Sequence, residues 1–118
     1  MFNTILAQVC ELCEVDAEGV IGGCKQQSYV DARLLVVQYL RRLGLTSDEI
    51  ATIVIRLLKE DMSYKPSPEE VRSKSRGIEK MFNSYSTRCL QSRAFVLMST
   101  ALKKFCDEQF WADYVHNA

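Results

Sequence analysis

The stretch that decides the fold covers residues 28–60 and reads SYVDARLLVVQYLRRLGLTSDEIATIVIRLLKE. Apolar residues recur in it every three or four positions on both sides of Gly44, which is the spacing of two amphipathic helices. Leu35 and Val36 widen the stripe of the first helix, so we expect that helix to be the most buried of the chain. Residues 46–49 (TSDE) form a capping box that begins the second helix, and residues 28–31 (SYVD) are expected to begin the first in the same way.

Helical signals continue outward from this stretch to both termini. Residues 2–14 carry apolar side chains at helical spacing, and a short helix follows Asp16 and ends at Gly22-Gly23. Residues 67–70 (SPEE) combine a serine cap, a proline in the first turn and a glutamate at the third position. The helix that follows has a predicted core stripe of Val71, Ser75, Ile78, Phe82 and Tyr85.

The chain therefore predicts an all-α single domain of five to six helices over residues 1–118. A polar break is expected at residues 83–87, followed by a long C-terminal helix over residues 87–115, and a single unbroken helix over residues 68–115 stays open as an alternative. That last helix has a wide apolar surface with aromatic residues near its end, including Trp111 and Tyr114. Two interpretations stay open: the helix wraps the core, or it mediates a homodimer.

The amino-acid composition limits the classes of protein to which this chain can belong. With 118 residues, of which 47% are hydrophobic and 25% charged, the chain has one hydrophobic core and is too apolar to be disordered. No apolar run approaches the roughly 18 residues that a membrane span requires. The N-terminus has no signal-peptide pattern and the five cysteines are an odd number, so a reducing, cytoplasmic location is expected.

The sequence offers little for catalysis or metal binding. Cys10 and Cys13 form one CxxC pair followed by Cys24, but structural zinc sites use two such pairs, so buried cysteines are the preferred interpretation and zinc a distant alternative. The single histidine, His116, lies at the C-terminal end. The acidic pairs at residues 48–49 and 69–70 complement helix dipoles. We expect no enzyme activity, no cofactor and no metal.

Charge is balanced overall but unevenly distributed. Residues 1–24 contain four acidic residues and no lysine or arginine, whereas residues 72–93 contain six basic residues and one acid, Glu79. A basic segment of this kind can neutralise phosphates, although it is also typical of a solvated helix face.

Residues 30–40 (VDARLLVVQYL) and 45–51 (LTSDEIA) resemble the C-terminal DNA-binding domain of the bacterial replication initiator DnaA, a Trp-repressor-like helix-turn-helix domain. The order of elements matches that family over residues 2–85, with residues 87–115 as an additional helix. The resemblance implies double-stranded DNA as the partner and a recognition helix that begins near residue 69. The residues that we expect to bind DNA on this basis are Lys25, Arg33, Thr46, Ser47, Arg72, Arg76 and Lys80.

The expected contacts differ between these residues. Basic side chains and hydroxyls can bind phosphate oxygens, and Arg72 is the residue expected nearest a guanine edge. The family's Asp-His-Thr-Thr signature falls here on residues 67–70 (SPEE), and the segment before the recognition helix is longer than in the family. A second hypothesis therefore stays open: a protein–protein interaction module on the same scaffold that has lost its DNA contacts.

Overall fold

A computed structural model describes the backbone of residues 1–117 and the side chains of residues 1–110. Over these residues the chain is all-helical, as predicted. Within residues 1–117, every helix is too short or too polar to span a lipid bilayer. The six helices are α1 (Phe2–Cys13), α2 (Ala17–Gly22), α3 (Gln27–Arg42), α4 (Ser47–Lys59), α5 (Pro68–Gln91) and α6 (Arg93–Asn117).

Most helix ends lie where capping residues predict them. The Asp16 carboxylate accepts a hydrogen bond of 2.8 Å from the Gly19 N–H at the start of α2. Thr46 and Ser67 form the two predicted capping boxes of α4 and α5. Gly23 has a φ of 84° beyond the end of α2, a conformation that costs glycine little. These four boundaries confirm the predictions made from local sequence.

The predicted capping box at residues 28–31 is wrong. Helix α3 begins at Gln27, two residues before the position that the capping box predicts, and the preceding residue makes no side-chain capping bond. The Asp31 carboxylate instead accepts hydrogen bonds from Gln27 and from Arg88 of α5. A partner from a distant helix therefore takes the oxygen that the capping box would have used.

The predicted break at residues 83–87 is also wrong, because α5 continues to Gln91. Asn83, Ser84, Ser86 and Thr87 are all exposed, so they occupy the solvent side of an unbroken helix. The chain breaks at Ser92, whose backbone is extended (φ −141°, ψ 115°). The Ser92 hydroxyl accepts a hydrogen bond of 3.1 Å from the Phe95 N–H and so begins α6.

Helix α3 lies at the centre of the fold and has nine buried residues, more than any other helix in the described part of the chain. This confirms the prediction that α3 is the most buried helix. Helix α6 joins the same core through Phe95, Leu102 and Cys106, which are all buried. The Tyr39 hydroxyl of α3 donates to the Ser99 carbonyl of α6 over 2.8 Å. The predictions made for Trp111, Tyr114 and His116 lie outside the described side chains.

Candidate nucleic-acid interface

Three of the predicted DNA-binding residues come together on one side of α5. Arg72, Arg76 and Lys80 are exposed and line a shallow groove beside Asp48 at the start of α4. They are spaced four residues apart, so at 1.5 Å per residue they extend over roughly 12 Å of helix. The three cations form what we call the basic stripe.

Glu79, the one acid of the predicted basic segment, lies in the same groove. The buried Ser47 hydroxyl donates a hydrogen bond to its carboxylate, and the Arg41 guanidinium lies 3.7 Å from the same oxygen. Arg41 itself is held against the Phe82 ring, 4.9 Å from its centroid. The Glu79 carboxylate is partly compensated from inside the fold, but its side chain is 45% exposed, so it also offsets part of the charge of the basic stripe.

A second groove extends the surface from the basic stripe toward the start of α3. Lys80 lines both grooves, and the second is also lined by Gln27. Lys25 is exposed two residues before Gln27 in the loop between α2 and α3. The sequence analysis missed the polar residues of this groove, although their spacing of three or four residues continues from Lys80. On α5 those residues are Asn83, Ser84, Thr87 and Gln91.

The other predicted DNA-binding residues have roles within the fold. The Arg33 guanidinium donates to the carbonyls of Gly19 (3.3 Å), Val20 (3.2 Å) and Cys24, which holds the end of α2 against α3. Partial burial lowers the pKa of Arg33, but a guanidinium stays protonated in proteins.

Thr46 and Ser47 lie at the start of α4. The Thr46 side chain is exposed and its oxygen accepts from the Glu49 N–H over 3.1 Å. The Ser47 side chain is buried and donates to Glu79, so it does not reach the surface. Neither residue joins the basic stripe through its side chain.

The acidic pair at the start of α5 lies close to the basic stripe, since Glu69 precedes Arg72 by three residues and Arg76 by seven and so shares their face of the helix. Glu69 and Glu70 line an apolar cavity that faces α2 and α4, and neither lines the groove of the basic stripe. The Ser67 N–H and the Tyr64 hydroxyl donate to Glu70 and lower the pKa of its carboxyl group. Glu69 therefore places an acidic group beside the N-terminal end of the basic stripe.

The connection from α4 to α5 runs over the eight residues 60–67. A helix-turn-helix motif uses a turn of three or four residues, and the connection from α3 to α4, residues 43–46, has that length. Arg56 Nε donates over 2.9 Å to the Tyr64 carbonyl, so the long connection is tied back to α4. The helix-turn-helix interpretation stays a prediction.

The five cysteines are unpaired, and four of them are half-buried while Cys106 is buried. Cys13 Sγ lies 3.7 Å from the sulfur of Met98. Burial raises the pKa of the Cys13 thiol to about 11 and that of Cys106 to about 11. Within residues 1–110, no three histidine, cysteine or acidic side chains lie close enough together to hold a metal ion.

Comparisons with known protein families, with curated proteins and with solved structures found no match to this chain.

Proposed function

We propose that this protein binds double-stranded DNA and that the basic stripe of α5 neutralises backbone phosphates. The observation that carries the proposal is the grouping of Arg72, Arg76 and Lys80 on one exposed flank of one helix. Gln27 at the start of α3 lines the groove that continues from Lys80, and Lys25 is exposed in the loop before it. The resemblance of residues 30–51 to the DnaA C-terminal domain supports the same function.

Phosphate contacts are the main source of affinity on such a surface. Duplex DNA carries one negative charge per roughly 1.7 Å of its axis, so the roughly 12 Å of the basic stripe faces several charges. Arginine can bind a phosphate with two hydrogen bonds, and a lysine acts as a point charge. The polar side chains beside Lys80 can add hydrogen bonds to phosphate or base edges.

A salt titration of binding to duplex DNA tests the proposal. Each phosphate contact contributes about −0.9 to the slope of log K against log salt. The triple variant Arg72→Gln, Arg76→Gln and Lys80→Gln is therefore expected to reduce the slope by about 2.7 and to weaken binding at low salt. The matched control is Lys104→Gln, an exposed lysine on α6. Absence of binding at low salt, or an equal effect of the control, would contradict the proposal.

A second candidate function, protein association, rests on the corner between α5 and α6. The Leu90 side chain is 91% exposed and that of Leu97 62% exposed, and large aliphatic side chains this exposed mark interaction surfaces when they are contiguous. Ala94 and Ala101 recur at helical spacing on the same edge, and small residues let two helices approach closely. We propose a second copy of this chain as the partner, because it offers an edge of the same length and chemistry.

Sedimentation over a hundredfold concentration range tests this association. A dimer that dissociates on Leu97→Asp, but not on Ala7→Asp at an exposed position of α1, is expected. A monomer at every concentration would contradict it.

A further inference from the structure

One opening among the described residues shares no lining residue with the groove of the basic stripe. A cavity of about 850 Å³ is bounded by α2, α4 and α5, with α3 at its base. This volume is within the range of sites that bind small molecules. Its lining is mainly aliphatic: Ile21, Val54, Leu58 and Met81 present accessible surface, whereas Val20, Val37, Ile50 and Ile78 are at most 4% exposed.

Gly77 of α5 faces this cavity. A methyl group added at Gly77 would meet no other atom within 4 Å, so the packing of this chain does not require a glycine there. Glycine in the interior of a helix also weakens the helix relative to alanine. The missing side chain leaves the cavity wider at this point and lets a bound molecule contact the backbone of α5.

Cationic side chains surround the mouth of the cavity. Lys74 on α5, Arg33 on α3 and Lys59 on α4 all line it. The hydrogen bonds of the Arg33 side chain go to carbonyl oxygens, and among residues 1–110 neither Arg33 nor Lys74 has a carboxylate within salt-bridge distance.

The two acids at the mouth do not balance these cations. Glu70 accepts hydrogen bonds from the Tyr64 hydroxyl (2.9 Å) and from the Ser67 N–H (3.1 Å). Lys59 lies over the Tyr64 ring, 5.3 Å from its centroid. The cavity is lined by three cations and by two acids, Glu69 and Glu70, so one positive charge is in excess beside an apolar interior. This combination is complementary to a molecule with an apolar body and an anionic end.

We propose that the cavity binds a small amphipathic carboxylic acid, whose aliphatic chain lies against Gly77 and whose carboxylate is held by Lys74 and Arg33. The site is distinct from the basic stripe, because the cavity and the groove of the basic stripe share no lining residue. Burial of the chain supplies affinity. The charged hydrogen bonds at the mouth supply selectivity for the acid.

Calorimetric titration with decanoate, below its micelle concentration, tests the proposal against decanol, which has the same chain and no charge. Decanoate is expected to bind at one site and about tenfold more tightly than decanol, because hydrogen bonds to charged groups contribute more than neutral ones. Lys74→Gln is expected to bring decanoate to the level of decanol. Gly77→Leu is expected to weaken the binding of both, because its side chain occupies the position proposed for the aliphatic chain.

Ser86→Leu is the matched control, since it adds the same side chain at an exposed position of α5 outside the cavity lining. It is expected to leave decanoate binding unchanged. If Gly77→Leu fails to fold by circular dichroism, Gly77→Val replaces it. No saturable decanoate binding, equal affinity for decanol, or unchanged binding in the folded Gly77 variant would each overturn the proposal.

Discussion

At the scale of single residues, the Asp31–Arg88 pair is the principal polar contact between α3 and α5. Arg88 donates to the two oxygens of Asp31 over 2.7 and 3.1 Å, and Gln27 donates to one of them over 2.8 Å. The hydrogen bond to Asp31 raises the pKa of Arg88. The sequence counts Arg88 as part of a basic segment, but its charge is neutralised within the fold.

Arg88→Leu is expected to lower the free energy of unfolding by roughly 2–3 kcal/mol, because it leaves a largely buried carboxylate with one hydrogen-bond donor. The control is Lys103→Leu, which removes the exposed pair between Lys103 and Asp107 and is expected to cost less than about 0.5 kcal/mol. Urea unfolding of both variants measures the difference. Equal costs would contradict the structural role of Arg88.

The Cys13 thiol gives a prediction about pH. Burial raises its pKa to about 11, and the nearby Asp31 carboxylate adds to the increase by repelling the thiolate. At pH 8 roughly one molecule in a thousand carries the thiolate, since each pH unit below the pKa lowers that fraction tenfold. In a variant that keeps only Cys13, the rate of reaction with a disulfide reagent is expected to rise about tenfold per unit up to pH 10.

The same variant unfolded in urea is the control for this thiol. Its rate is expected to level off near pH 9, because an exposed cysteine has a pKa of about 8.5. A native rate that levels off at the same pH would show that burial does not raise the pKa of Cys13.

At the scale of the helices, side chains that cap backbone N–H groups explain most boundaries. The capping boxes at Thr46 and Ser67 are local and could be predicted from sequence. The α5–α6 boundary was not predicted, because a single serine at residue 92 is a weaker signal than the polar run at residues 83–87. The chain breaks at Ser92 instead. With the break at that position, Phe95 packs edge-on against Tyr85, with ring centroids 5.7 Å apart.

Ser92→Ala is expected to lower stability by about 1 kcal/mol, because the Phe95 N–H loses its acceptor. Ser86→Ala, at an exposed position within α5, should leave stability unchanged or raise it slightly. Thermal unfolding of the two variants makes the comparison. If the two variants change the stability equally, packing alone determines the α5–α6 boundary.

At the scale of the whole molecule, α6 is part of one core with α1–α5. The resemblance to the DnaA domain ends at residue 85 and would make the last helix an addition to a complete domain. Leu102 is fully buried in the central cluster, and Phe95 packs beside it in the same cluster. We therefore expect the region before α6 to depend on it for stability.

Leu102→Ala is expected to cost about 3 kcal/mol, since it leaves a cavity in the core. Leu97→Ala removes the same atoms from a side chain that is 62% exposed, and a change of less than about 0.5 kcal/mol is expected in dilute protein. Urea unfolding at low concentration avoids any contribution from self-association. A small effect of Leu102→Ala would mean that α6 docks on a core that is stable without it.

The sequence by itself determined the helical class, the order of the helices and most of their ends, because helical periodicity and capping act over three or four residues. It also indicated Arg72, Arg76 and Lys80 as one exposed strip, for the same reason. Only the tertiary structure decided which polar side chains form hydrogen bonds and ion pairs between helices. Ser47 and Glu79 are 32 residues apart, and Asp31 and Arg88 are 57 apart. Such partners meet only when the helices pack. No local pattern could therefore predict that Ser47 and Arg88 bind partners within the fold while the residues of the basic stripe stay exposed.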